Sequence, residues 1–309
     1  MHKIRPAKLN LAIAKRCFVH CTGCYANFGR REPDLVAIRE SIRLFVDMGI
    51  NRVTISGGDP LTIHGIHEFL GGLRAVGVQM IKVDTVGSNL LAERSTVTSD
   101  GGIQLVRNLD SILQEVDYLG IPLDGWSNES ALLFRAGRPN LYSETAELLT
   151  AIDAASTSPQ VIVNTVLHQG NLSGLPLILE EVRRHSAVVE WNVCQYIPSD
   201  QADKGANDRF SISREQFLDA VDQFVHEHKS KTTTGLKVKF SSIDSRLGKY
   251  FLINSDGRAW LLGQDGLTIE LGSVFGHERA VIEQWSEIVA AMGVDSTSVE
   301  DTGFRTYYL

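Results

Sequence analysis

The sequence predicts an α/β fold: six strand–helix units in succession, then a C-terminal α+β extension. Three observations predict it. Short apolar or β-branched runs recur between longer amphipathic ones, which is the pattern of parallel β/α units. The early strands run into Gly-rich turns, Gly57-Gly58-Asp59-Pro60 and Gly87-Ser88-Asn89. After Ile197 the alternation gives way to a polar loop and short strands.

The elements follow in order. Residues 8–14 alternate, with Leu9, Leu11 and Ile13 on one face and Asn10 on the other, a first strand. A cysteine-bearing loop runs to Pro33. Asp34 is placed to cap a helix reaching about Met48, which Gly49 ends. Residues 51–56 are a β-branched second strand. A helix over 64–76 stops at Gly77, and 78–86 form a third strand. A helix over 103–116 precedes a fourth strand at 117–123. Helical pieces at 129–136 and 143–155 flank an Arg-Pro turn. Residues 160–168 are the fifth strand, 175–185 a helix and 188–197 the sixth strand.

Residues 1–198 therefore form the core and 199–309 an extension that closes its open side. In the extension, Ser213 with Gln216 opens a helix to about Lys229. Residues 236–240 and 250–262 are strands, the latter interrupted by the turn Asn254-Ser255-Asp256-Gly257. A last helix spans 278–292. The end, Arg305 with Tyr307 and Tyr308, is read either as a flap over the substrate mouth or as a loosely packed surface end.

Composition bounds the function. Hydrophobic content of 43% is ordinary for a globular protein. No apolar run reaches eighteen residues, so no spanning helix is expected. The first eight residues are basic without an apolar stretch, which is not a secretory signal, and the expected location is cytoplasmic. Net charge is −7 with no long basic run, which argues against binding a nucleic-acid backbone.

A parallel sheet is buried on both faces, so its strands should be nearly all apolar. Here they are not. The sixth strand carries Glu190, Asn192, Cys194 and Tyr196 on one face, opposite Val189, Trp191 and Val193. Asn164 shares a face with Ile162 and Val166, and Asn10 and Thr54 stand out similarly. Together they predict a polar interior that holds a hydrophilic ligand.

The chemistry begins with Cys17, Cys21 and Cys24, spaced C-x3-C-x2-C and followed by Tyr25. An iron–sulfur cluster normally takes four cysteines; three leave one iron open to a bound molecule. A zinc site completed by His20 and a disulfide are the rival readings of the same residues. The cysteine pattern resembles the radical S-adenosylmethionine (SAM) superfamily, and the six units resemble its partial (β/α)6 TIM-like barrel.

That resemblance implies a [4Fe–4S] cluster on Cys17, Cys21 and Cys24, with SAM bound at its open iron. It implies an external electron donor such as flavodoxin or ferredoxin. Gly57-Gly58-Asp59-Pro60 resembles the superfamily's GGEP motif, with Asp in place of Glu, so Asp59 is expected to pair with the SAM ammonium. Tyr25 is expected by the adenine and Asn164 near the ribose or carboxylate, with Thr85 and Gln195 also on the cofactor. Trp191 to Gln195 and the region after them resemble the viperin-like and molybdenum-cofactor-synthase-like branch. The extension contains no cysteine, so no second cluster is expected there.

The implied activity is hydrogen abstraction from a sugar, aminoglycoside or nucleoside, with epimerisation as the leading outcome and Cys194 as the hydrogen-atom donor. A thiol suits that role because its S–H bond is weaker than most C–H bonds, although an unpaired buried cysteine also serves simply as a small hydrophobe. Dehydration or dehydrogenation, peptide modification, and a zinc-stabilised binding protein are the alternatives. The acidic net charge favours a neutral or cationic substrate.

Overall fold

The computed structural model describes residues 5–24, 31–91, 107–155, 160–228, 235–246, 250–263, 267–293 and 304–309. The first half contains β1 (Leu9–Ala14), β2 (His20–Cys21), α1 (Leu35–Asp47), β3 (Arg52–Gly57), α2 (Ile66–Ala75), β4 (Met80–Asp84), α3 (Leu109–Glu115) and β5 (Tyr118–Pro122). Next come α4 (Asn128–Leu132), β6 (Arg135–Ala136), α5 (Leu141–Ala154), β7 (Gln160–Leu167), α6 (Leu175–Val182) and β8 (Val188–Gln195). The remainder is α7 (Ala206–Phe210), α8 (Arg214–His228), β9 (Lys237–Ser241), β10 (Leu252–Asn254), β11 (Arg258–Leu262), β12 (Thr268–Ser273), α9 (Glu278–Ala291) and β13 (Phe304–Tyr308).

Eleven of these strands form one sheet, in the order β12-β11-β10-β1-β3-β4-β5-β7-β8-β9-β13. From β10 to β9 every neighbour is parallel. The antiparallel pairs lie outside that block, β10 with β11, β11 with β12, and β9 with β13. The α/β class follows from the periodicity, and the helix starts follow from capping. The Asp34 carboxylate accepts from the amides of Val36 and Ala37 at 3.1 and 3.0 Å, and α1 ends before Gly49, whose φ of +88° suits glycine.

Alternation sorts the strands into two faces. Leu9, Leu11, Ile13, Val53, Ile55, Ile81, Val83, Val161, Val163, Trp191 and Val193 are buried in one continuous core. The intervening residues form the inward set. The sheet curls around them: Lys8, just before β1, lies in the electrostatic field of Lys82 on β4 and Lys239 on β9, six strands away in the order. Tyr250, just before β10, likewise lies in the electrostatic field of Cys194 on β8 and Asp84 on β4.

The structure differs from the sequence expectations at several places. The sheet runs through the 198/199 position: residues after it add β9 to one edge of the parallel block and β10 to the other. Residues 129–136 are not all helix, because Arg135–Ala136 pair with His20–Cys21 as a short antiparallel ladder. The helix expected over 103–116 starts at Leu109, capped by Asn108, and residues 103–106 lie outside the described ones. The C-terminus is no flap. Its five residues pair along β9, Arg305 is ion-paired with Asp222, and Leu309 is buried against the segment at Gly235 and Leu236. The edge of β9 offers a ladder that an alternating Phe-Arg-Thr-Tyr-Tyr segment satisfies. Among the described residues no helix is long and apolar enough to cross a membrane.

Candidate active site

The cysteine loop leaves the C-terminal end of β1 and crosses the end of β3. Gly58 donates to the carbonyl of Ala14 at 2.7 Å, and Asp59 donates to that of Arg16 at 2.6 Å. A Cβ at position 58 would stand 2.1 Å from the Arg16 carbonyl oxygen, and Gly57 has a φ of +119°. Both glycines therefore serve the crossing of two chain segments.

Cys17 and Cys21 pack against the core, and all four cysteines are half-buried and free of disulfides. Burial pushes the Cys17 thiol up, and Asp59 and Cys21 add to the shift. Burial also pushes the Cys21 thiol up, against the pull of Arg135. The Arg135 Nη1 donates to the Cys21 sulfur at 3.0 Å, and its Nε donates to Asp124 Oδ2 at 2.5 Å. The other Asp124 oxygen accepts from the amide of Val166 at 2.6 Å, and the Asp124 side chain is fully buried. Burial opposes the Arg135 charge, but Asp124 and Cys21 outweigh it and hold the guanidinium above its ordinary range.

This donor set fits a cluster better than a single ion. Thiolates here are expensive unless a cationic group compensates them, which iron does. Among the described residues no three His, Cys, Asp or Glu side chains are placed to hold one metal ion. In a multi-iron cluster each thiolate binds a different iron, so no such convergence is required. His20, the fourth ligand of the zinc reading, is exposed and bonds Asp203 at 2.8 Å instead. That removes the Cys3His site. Cys17, Cys21 and Cys24 are the residues that would hold the cluster.

Asp59 is engaged by its own turn. It is 1% exposed, and its carboxylate accepts from the Leu61 amide at 3.0 Å, the Val86 amide at 2.8 Å and the Thr85 hydroxyl at 2.7 and 2.8 Å. Burial lifts its pKa to about 6 while these donors pull it down. Thr85 accepts in turn from the Gly87 amide at 2.8 Å. Asp59 and Thr85 thus fasten the turn after β3 to the turn after β4, and three donors occupy most of the carboxylate's acceptor sites. Aspartate is one methylene shorter than glutamate and closes on its own turn. Pro60 opens a buried 3₁₀ turn, Pro60–Thr62.

Gln195 is engaged by main chain as well. It lies on the helix-facing side with Trp191 and Val193, where its amide donates to the Ile212 carbonyl at 2.9 Å and accepts from the Ile243 amide at 3.0 Å. Both ends are occupied by main chain. Tyr25 lies outside the described residues.

The remaining expected residues face inward. Lys82 pairs with Asp84 at 2.9 Å, Asn164 donates to Asp84 at 3.4 Å, and Asn192 donates to Asn164 at 3.2 Å. Gly120 makes room for this chain: a Cβ there would be 1.7 Å from Asp84 Oδ1. Cys194 stands one inward position beyond Asn192, level with Val166 and Ser241. Burial, then the neighbouring Cys194, pushes the Tyr250 hydroxyl up to about 12. Two surface clefts, of about 200 and 410 Å³, contain none of these residues.

Sequence reasoning missed Arg135, Asp124 and Tyr250, which meet the site through pairings distant in sequence. It also missed Lys8, Arg52, Lys82 and Lys239. For these a signal existed, because each occupies an alternate, inward position of its strand.

Residues 11–172 match the family model of the radical SAM superfamily. The chain is 27% identical over 172 residues to a GTP 3′,8-cyclase of Paracoccus denitrificans, covering 52% of this chain and 44% of that one. It therefore spans less than half the length of that relative. By fold it is similar to SuiB of Streptococcus suis bound to S-adenosylmethionine, with a TM-score of 0.62 and 13% identity, covering 93% of this chain and 68% of SuiB. It is also similar to anSMEcpe with bound AdoMet and Cp18Cys peptide, with a TM-score of 0.63 and 12% identity, covering 96% and 86%.

Proposed function

Because the chain belongs to the radical SAM superfamily, we propose that it is an enzyme that removes a hydrogen atom from a sugar or nucleoside held in its polar interior, and that Cys194 returns one. When bound, the [4Fe–4S] cluster and SAM supply a hydrogen-abstracting 5′-deoxyadenosyl radical. The observation that carries the substrate side is the inward face of β4, β7 and β8, where Lys82, Asp84, Asn164, Asn192 and Cys194 follow one another. Hydroxyl-rich molecules need such a lining of donors and acceptors. An aminoglycoside does not suit it, because the inward cations outnumber the carboxylates.

Cys194 faces the interior and has Tyr250 beside it. Its S–H bond is weaker than most C–H bonds, so it delivers a hydrogen atom to a carbon radical on its side. The sulfur is then left one hydrogen atom short. One electron from the external donor, a flavodoxin or ferredoxin, and one proton from water restore the thiol. If the face supplied differs from the face attacked, the carbon is inverted.

The test is turnover in deuterated buffer, with cleavage of SAM followed separately as 5′-deoxyadenosine. Wild type should place one solvent deuterium at the inverted carbon. Cys194→Ala should still form 5′-deoxyadenosine with substrate present and lose the inverted, labelled product. Normal inversion by the variant sinks the donor role and leaves dehydration or dehydrogenation. A second reading, peptide modification, is favoured by the likeness in fold to the peptide-bound anSMEcpe. It would require a peptide, and no free nucleoside or sugar, to stimulate SAM cleavage.

A further inference from the structure

We propose that the floor of the interior is an oxyanion subsite, which holds a phosphate or carboxylate group of the substrate between Lys8, Arg52, Lys82, Lys239 and the Thr54 hydroxyl. The inference rests on the reading above that the substrate lies inside the barrel, and it adds the charge that the substrate must carry.

The first observation is where the cations stand. Asn10, Thr54 and Lys82 are register partners on β1, β3 and β4. Lys8 and Arg52 sit two residues before Asn10 and Thr54, on the same inward alternation. Lys239 enters from β9, across the interior, and lies in the field of Lys8 together with Lys82 and Arg52. Asp84 is the one carboxylate acting on Lys8, and it is already engaged by Lys82 and Asn164. Glu190 on β8 is engaged by Lys237 at 2.7 Å. Burial, reinforced by Lys82, brings the Lys8 ammonium down to about 8. In a protein of net charge −7, three cations and one carboxylate act on Lys8 among the described residues. Cations crowded together in a poorly solvated space repel one another, and an anion among them turns that repulsion into attraction.

The second observation is independent of charge. Thr54 is buried, and among the described residues its hydroxyl has no hydrogen-bond partner. It projects from the inward face between Asn10 and Lys82 in register. A buried hydroxyl without a partner is destabilising, and an oxyanion at this level supplies the missing acceptor.

The location suits a substrate with two functional ends. Glu190 is level with Asp84 through Gly120 and Ile162, and Cys194 lies four residues further along β8. Four residues correspond to about 13 Å of strand rise. A sugar phosphate or a nucleoside phosphate bridges that interval, with its anionic group on the floor and its sugar toward Cys194.

The test uses holoprotein reconstituted anaerobically with iron, sulfide and SAM. Pyrophosphate, inorganic phosphate and malonate are each titrated calorimetrically at low and at high salt. At least one should bind, more weakly as salt rises. Lys82→Met should weaken that binding by about tenfold or more, because a charge-assisted hydrogen bond is lost. Thr54→Val, an isosteric change that leaves every charge in place, should weaken it by about three- to tenfold. Preference for the phosphates assigns a phosphate group, and preference for malonate assigns a carboxylate. Absence of binding by all three anions overturns the subsite. So does binding that is unchanged in both variants. None of these readings depends on turnover, so a failed donor role for Cys194 leaves them intact.

Discussion

Thr85 on the rim and Thr54 in the interior are both 4% exposed, yet their hydroxyls have opposite surroundings. Thr85 donates to Asp59 and accepts from Gly87. Thr54 has no hydrogen-bond partner among the described residues. The contrast extends to their neighbourhoods. On the rim the Asp59 carboxylate accepts from Leu61, Thr85 and Val86, and Arg107 donates to the Leu61 and Ile63 carbonyls at 2.7 and 2.6 Å. In the interior Thr54 Oγ1 and Asn192 Oδ1 have no partner among the described residues. A fully bonded polar group fixes a backbone; an unbonded one is disposed toward a ligand. The Asp59–Thr85 pairing is therefore a support for the cysteine loop, although Ser88 Oγ in the same turn also lacks a partner among the described residues, while Thr54 and Asn192 each keep an oxygen open toward the interior.

The largest test of that contrast is Arg135→Met. It strips the buried Asp124 of its ionic partner and should cost about 3–5 kcal/mol of stability in urea unfolding. In reconstituted protein it also removes a donor to the Cys21 sulfur. The cluster's midpoint potential, followed by EPR during redox titration, should fall, because hydrogen bonds to a ligating sulfur favour the reduced state. An unchanged potential would confine Arg135 to packing.

Asp59→Ala should have a smaller effect, about 2 kcal/mol. It leaves the Leu61 and Val86 amides and the Thr85 hydroxyl without acceptors. Against that loss, it removes a carboxylate that burial already penalises. The matching signature is loss of stability together with loss of iron. A variant of normal stability and iron content that binds SAM weakly would return Asp59 to the ammonium and break the contrast.

The fold was legible because the burial of each strand is written in its own residues. The alternation of 8–14 and of 160–168 fixes both a strand and its inward face. β6 and β13 were not legible, since a two-residue ladder and an edge strand depend on partners elsewhere. The site divides in the same way. Cys17, Cys21 and Cys24 declare themselves by local spacing, whereas Arg135 reaches Cys21 across 114 positions. The motif around Asp59 gave the residue type but not the hydrogen bonds that a shorter side chain makes. Gln195 was assigned by likeness although its own alternation with Trp191 and Val193 put it on the helix side. Net charge, a sum over the whole chain, says nothing of the cations that β3, β4 and β9 turn inward beside Lys8.

The smallest and sharpest test applies one substitution to the two threonines. Valine matches threonine in shape and removes only the hydroxyl. Thr85→Val takes a donor from Asp59 and leaves the Gly87 amide without its acceptor, both in a buried place. It should cost about 1–3 kcal/mol. Thr54→Val removes a buried hydroxyl with nothing bonded to it and replaces it with a methyl group. It should change stability by between zero and a gain of about 1 kcal/mol. Urea unfolding of the two variants beside wild type, without added anion, reads both. Pyrophosphate should then narrow the gap: it should stabilise wild type and Thr85→Val, and stabilise Thr54→Val less, since ligand binding to the folded state adds to its stability. Equal costs at the two positions would mean that Thr54 is bonded in solution. The interior would then be as complete as the rim.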